Sequence, residues 1–161
     1  MGLRTGMAKR ENSQLIEFNT LALRFQDEAF TFAYYLLGDE VQASEATQAA
    51  FAGLYRSEEP QLAPFRLEVL RWVLAQCRRQ VQQQSPVPRF RMGEALINDL
   101  QWLGMEERSA VVLVDVIGLP YDEAARVIGI PRQHLIRSLA LGRLRMSHGA
   151  EEPRRGGAAA R

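Results

Sequence analysis

The side chains able to do chemistry in this chain of 161 residues are few in kind. There is one cysteine, Cys77, and there are two histidines, His134 and His148. A single thiol rules out an internal disulfide and a cysteine-cluster metal site. No second ligand lies at helical spacing from His134. No Gly-rich phosphate loop, nucleophile elbow or metal-ligand spacing is present. An enzyme is therefore not expected, and neither is a cofactor or a bound metal. The abundant reactive group is instead the guanidinium: nineteen of the twenty basic residues are Arg. Its planar fork pairs with phosphates and with guanine edges. The most suggestive cluster is Arg132, Gln133, His134 and Arg137, in which Arg can bond guanine bidentately and Gln can bond adenine. A second cluster is Arg71, Arg78 and Arg79. The chemistry on offer is recognition rather than catalysis.

The net charge of +1 conceals a segregated pattern. Residues 14–59 carry Arg24 and Arg56 against eight acids, and residues 60–93 carry six Arg against Glu68. Residues 94–123 carry Arg108 against seven acids, and residues 124–150 carry five Arg and no acid. Acidic, basic, acidic and basic blocks thus alternate. Blocks of one sign are what a nucleic-acid footprint looks like, even when the total is near zero.

The elements that must position these groups are helices. Hydrophobic residues make up 47% of the chain, which excludes wholesale disorder. From Leu15 to Leu37, Phe18, Leu21, Phe25, Ala29, Phe32 and Leu36 recur at steps of three or four, the period of one helix face. Gly38 and Asp39 mark a stop and a start. A second helix follows over Val41–Tyr55, with Ala43, Ala46, Ala50 and Leu54 on one side and Glu40, Glu45 and Gln48 elsewhere. A third runs over Phe65–Gln84, with Phe65, Val69, Trp72 and Val73 inward and Arg71, Arg78 and Arg79 outward. The polar, proline-containing stretch at residues 85–92 reads as a linker between two domains, 14–84 and 93–148. In the second domain, helices are expected over Ala95–Leu103, Glu106–Ile117 and Tyr121–Ile128. The last begins at Pro131, a residue favoured in a first turn, and runs to about Met146. Residues 149–161 read as a disordered tail. No stretch approaches the ~20 apolar residues that span a bilayer, and Met1–Ser13 lacks the apolar block of a secretory signal. The lone cysteine fits a reducing cytoplasm.

Asp122–Leu139 has helix-turn-helix grammar. Ala125 is small where two helices must cross, Gly129 can take the left-handed conformation of a tight turn, and Leu135 anchors the second helix. Ile128 and Ile130 flank the turn. The second helix is the acid-free one. In such motifs its N-terminal residues meet the base edges of the major groove, which places Arg132, Gln133, His134 and Arg137 at the bases. Arg143 and Arg145, two turns later, are expected to touch phosphate at most.

The segment from Leu100 to Ile130 resembles region four of the extracytoplasmic-function sigma factors of bacterial RNA polymerase. Arg108, Gly118, Tyr121, Glu123, Ala125 and Gly129 fall on that pattern. Tyr35–Asp39 and Ala43–Phe51 resemble region two of the same family. Together the two matches cover about 130 residues. The resemblance implies an all-α fold of two small helical domains and a role as a promoter-specificity subunit. Its partners would be core RNA polymerase, promoter DNA and an anti-sigma factor. It implies that Glu40, Glu45 and Gln48 dock on the polymerase clamp, that Arg71, Arg78 and Arg79 face the minus-ten element, and that the last helix reads the minus-thirty-five element.

The chain departs from the family pattern at several positions. Ser44-Glu45 stands where Glu-Asp is usual, and Glu68 and Ala75 stand where the third helix usually carries Trp and Asn. The last helix has His134-Leu-Ile-Arg-Ser138 where Thr-Val-Lys-Ser-Arg is usual. These departures sustain a second reading: a sigma-like regulator, or a decoy for an anti-sigma factor, that keeps the fold without melting promoters.

Overall fold

The computed structural model describes the backbone of residues 3–57, 64–83 and 94–151, and the side chains of residues 12–57, 64–83 and 94–148. Helix α1 spans Leu3–Leu37, α2 Glu40–Arg56 and α3 Phe65–Gln83. Helix α4 spans Ala95–Gln101, α5 Met105–Val111, α6 Tyr121–Ile128 and α7 Arg132–Glu151. A π-helical turn, Val112–Val116, extends α5. No strand occurs among the described residues, so the fold is all-α.

The periodic stripes become the packed faces. Ala29, Phe32 and Leu36 of α1 are fully buried, as are Ala43, Ala46 and Ala50 of α2. Asp39 caps α2 by accepting a hydrogen bond from the Gln42 amide at 3.0 Å, the chemistry that makes Asp a helix start. The alanine stripe lets α2 lie close against α1 and α3, and Glu40, Glu45 and Gln48 are left exposed. In α3 the buried arc is wider than one stripe: Leu67, Glu68, Val69, Leu70, Val73, Leu74 and Cys77 are all buried. The cause is double coverage, by α1 and α2 on one side and by α6 on another. Phe65 and Trp72, expected inward, lie only partly buried at the rim.

Several boundaries differ from expectation. Helix α1 starts at Leu3 rather than Leu15. The expected α-helix over 106–117 changes to π geometry at Val112, and Ile117 N–H bonds the Val112 carbonyl at 2.9 Å. Helix α4 ends at Gln101, and α7 continues past Met146 to Glu151, so residues 149–151 of the expected tail are helical. Hydrophobic periodicity locates faces but carries no signal for where a polar helix end frays. The expected linker, 85–92, and the rest of the expected tail lie outside the described residues.

One side chain ties the helices together. Arg108 of α5 is buried and donates from Nη1 to the Leu36 carbonyl and to Gln101 Oε1 at 2.9 Å. From Nη2 it donates to the carbonyls of Gln101 at 3.0 Å and Leu103 at 2.9 Å. Leu36 and Gln101 are in the last turns of α1 and α4, where carbonyls have no partner within their own helix. The guanidinium therefore serves as a shared C-terminal cap at the negative ends of two helix dipoles. Its burial pushes its pKa down to about 10, which leaves it charged at neutral pH. Nearby contacts join the same elements: Tyr34 Oη donates to the Glu94 carboxylate at 2.7 Å, and Gln101 Nε2 to the Tyr35 carbonyl at 3.5 Å.

Burial pushes the Cys77 thiol up from 9.0 to about 12, partly offset by the positive charge of Arg108. At about pH 9.5 the thiol should resist alkylation in the folded chain and react rapidly once urea unfolds it. Equal labelling rates in the two states would show that α3 is not packed as described. Arg108→Lys keeps the charge but replaces the planar fork with a single ammonium. Orphaning even one buried carbonyl should lower stability by ~1–3 kcal/mol, seen as a lower urea midpoint at unchanged slope.

Candidate nucleic-acid interface

The interface is built from α6 and α7. Ala124, Ala125, Val127 and Ile128 of α6 are buried. Gly129 ends the helix with φ 80°, and the amides of Gly129 and Ile130 both bond the Ala125 carbonyl, at 2.9 and 3.1 Å. A β-branched residue would strain that left-handed backbone. The Pro131 carbonyl then accepts a hydrogen bond from Leu135 N–H at 3.1 Å, in the first turn of α7. Leu135, fully buried, anchors the second helix, whereas Ile130 is only partly buried. The turn leaves an open concavity of about 530 Å³ walled by Asp122, Arg126 and Arg132.

The seating of α7 comes from the acidic block before it. Ser138 donates to Glu106 Oε1 at 2.6 Å. Arg145 Nη1 pairs with Glu107 at 2.6 Å, and Arg143 pairs bidentately with Asp115. The Asp115 carboxylate holds the Arg143 pKa above its usual value. Asp115 belongs to the π turn, so that irregularity is where the carboxylate meeting α7 is displayed. Gly142 lies at the crossing: a Cβ there would stand 2.7 Å from Val111 Cγ2 and 3.3 Å from the Glu107 carbonyl. Sequence reasoning missed Gly142, because a glycine inside a helix pattern signals a close approach only when its neighbour is known. It gave Arg143 and Arg145 phosphate contact at most and did not foresee that both pair with carboxylates within the fold.

Arg132, Gln133, His134 and Arg137 are all exposed at the start of α7. Arg132 Nε pairs with Asp122 at 3.1 Å across the turn, both side chains being more than half exposed. Gln133 and Arg137 lie opposite the buried Leu135, Ser138 and Leu139, while His134 lies to one side. The second arginine cluster is less free than expected. Arg71 Nη2 is 2.6 Å from Glu68, whose side chain is 3% exposed. Arg78 is half-buried and donates to the Ile128 carbonyl at 3.4 Å, because α6 packs on that edge of α3. Arg79 is exposed. Among the described residues no group of three or more His, Cys, Asp or Glu could hold a metal ion. No helix among them is long and apolar enough to cross a membrane.

No protein-family model matches the chain, and no curated protein matches it. Solved structures do share its fold. CnrH, in complex with the cytosolic domain of CnrY, superposes with a TM-score of 0.69 at 20% identity, over 83% of this chain and 87% of that one. The sigma factor RpoE from Bartonella quintana, in complex with the anti-sigma factor NepR, gives 0.66 at 17% identity, over 86% and 99%. A chain of the co-crystal of the anti-anti-sigma factor PhyR with NepR, from the same organism, gives 0.65 at 16% identity, over 81% and 49%. The chain therefore has a sigma-factor fold. More narrowly, the fold is that of the extracytoplasmic-function group, as the sequence resemblance implied.

The helix crossing sets a structural requirement. Ala125 is 5% exposed beneath α7. Ala125→Leu should overpack this site and cost ~1–3 kcal/mol. A thermal melt as stable as the parent's would mean that the α6–α7 register is wrong.

Proposed function

We propose that the chain is an extracytoplasmic-function sigma factor that binds core RNA polymerase and directs it to specific promoters. The observation that carries this reading is the division of α7 into two sides. One is locked onto α5 by Ser138, Arg143, Arg145 and Gly142, and the other offers Gln133 and Arg137 to solvent at the start of a helix-turn-helix second helix. A rigidly seated helix with a free amide and a free guanidinium is suited to base-edge contact in the major groove. Arg132 and His134 complete the upstream set. The exposed strip Glu40, Glu45 and Gln48 of α2 is the polymerase-docking surface, and residues 14–84 and 93–148 act as the two functional units. The protein is not an enzyme and works in the cytoplasm.

An anti-sigma partner is part of the proposal, since the structural relatives CnrH and RpoE were solved in complexes with CnrY and with the anti-sigma factor NepR. One observation favours the second reading, a sigma-like regulator or decoy. Of the three arginines assigned to the minus-ten element, Arg71 is neutralised by Glu68 and Arg78 is turned toward α6, which leaves Arg79. A basic face reduced in this way supports core binding better than it supports strand capture.

In-vitro transcription with core RNA polymerase and a genomic promoter library separates the two. Specific initiation supports the sigma factor; tight core binding without initiation supports the regulator; absence of core binding removes both. Glu45→Lys reverses an exposed charge on α2 and should weaken core binding at least several-fold while leaving the melting temperature within error. Unchanged affinity would remove α2 from the docking surface.

A further inference from the structure

Two exposed apolar residues, Ile136 and Ala140, lie beside Gln133 and Arg137 in the first half of α7, and the exposed Leu141 and Leu144 follow further along the helix. The buried residues Leu135, Ser138, Leu139 and Gly142 define its inner side. Outward of it runs the row Gln133, Ile136, Arg137 and Ala140, at spacings of three, four and seven residues, which is one helix face with Ile136 at one edge and Arg137 at the other. Ile136 is 40% exposed and Ala140 is exposed. The exposed part of Ile136 adds nothing to the core. Its setting argues against a generic protein contact, because no acid occurs in α7 between Arg132 and Ala150, and Arg137 adjoins it. The surface is apolar along one edge and cationic along the other, which suits a polyanion that carries an apolar group.

The major groove presents one such group, the C5-methyl of thymine. We propose that Ile136, with the short Ala140 beside it, forms a seat for thymine methyl groups, so that α7 selects for thymine next to the bases contacted by Gln133 and Arg137. The proposal rests on the DNA-reading role given above and adds the class of base pair read. Residues three apart on a helix stand ~5–6 Å apart, and successive bases on one strand rise ~3.4 Å. A Gln133 contact to adenine therefore leaves Ile136 within reach of a thymine in the same or the adjacent base pair. Ala140 removes bulk where the helix must approach the groove floor.

The full chain is suitable for the test, because this face is exposed in it. The chain, alone and assembled with core RNA polymerase, is used to enrich a random duplex pool. The best duplex is then resynthesised with deoxyuridine at each thymine in turn, which removes only the methyl. One or two positions should weaken binding about fourfold, the equivalent of one buried methyl. Ile136→Ala should lose a similar factor on the thymine duplex and become indifferent to uracil, whereas Ile136→Val should keep the discrimination. Arg137→Ala should lose affinity equally on both duplexes. Coincident thermal melts of the variants exclude misfolding. Uracil without effect at every position, or discrimination that persists in Ile136→Ala, overturns the methyl seat while enrichment and the Arg137 effect leave the DNA reading standing. No enrichment in either form overturns both, and α7 would then be a surface for a protein partner.

Discussion

The guanidinium of Arg108 is the constraint on which the arrangement of helices depends. A buried cation without a carboxylate partner costs free energy unless other dipoles replace its water. Here the replacements are main-chain carbonyls at the ends of α1 and α4, with Leu103 and the Gln101 side chain completing the set. Those carbonyls in turn would be orphaned without it. Each group satisfies the other's desolvation, and the geometry of the fork fixes where α5 sits relative to α1. The π turn, α6 and α7 follow α5 in the chain, so the placement of α7 descends from this contact. Among the described residues the Arg108 Nε has no acceptor.

The alternation of charge along the chain has a different meaning in three dimensions. The acids at 106, 107 and 115 face the hydroxyl of Ser138 and the arginines at 143 and 145, and the carboxylate of Glu28 holds Arg66 at 2.7 Å. Much of the apparent basic surplus is thus cancelled within the fold. Surface ion pairs contribute little stability each, so their value lies in orientation. They hold the back of α7 and leave its first two turns as the exposed cationic surface. The segregation of charge persists as a segregation of faces, with Gln133 and Arg137 turned outward.

The same accounting separates the two arginine clusters. In α7 the acid-free sequence leaves Arg137 open. In α3 the helix is covered on more than one side, and the substitution of an acid at position 68 places a carboxylate under Arg71. Covering α3 with α6 also draws Arg78 toward the end of α6 at Ile128. A face that looks basic in one dimension is a partly neutralised edge in three, and this is the physical content of the departures from the family pattern.

Much of the fold was determined by the sequence alone. Apolar spacing located the faces of α1 and α2, because burial of one stripe is a local consequence of a 3.6-residue period. Asp39 and Gly129 announced a cap and a turn, because their chemistry acts within a few residues. The helix-turn-helix and the exposure of Gln133 and Arg137 were legible for the same reason. What the tertiary structure decided was everything that depends on a distant partner. Arg108 could be matched to a pattern, but its role required the ends of α1 and α4 to meet it. The partners of Arg78, Arg143 and Arg145 emerged only when the elements carrying Ile128, Asp115 and Glu107 were brought against them. Gly142 became a contact only where α7 crosses α5. Local periodicity specifies which side of a helix is buried, whereas long-range packing decides which charges remain for a ligand.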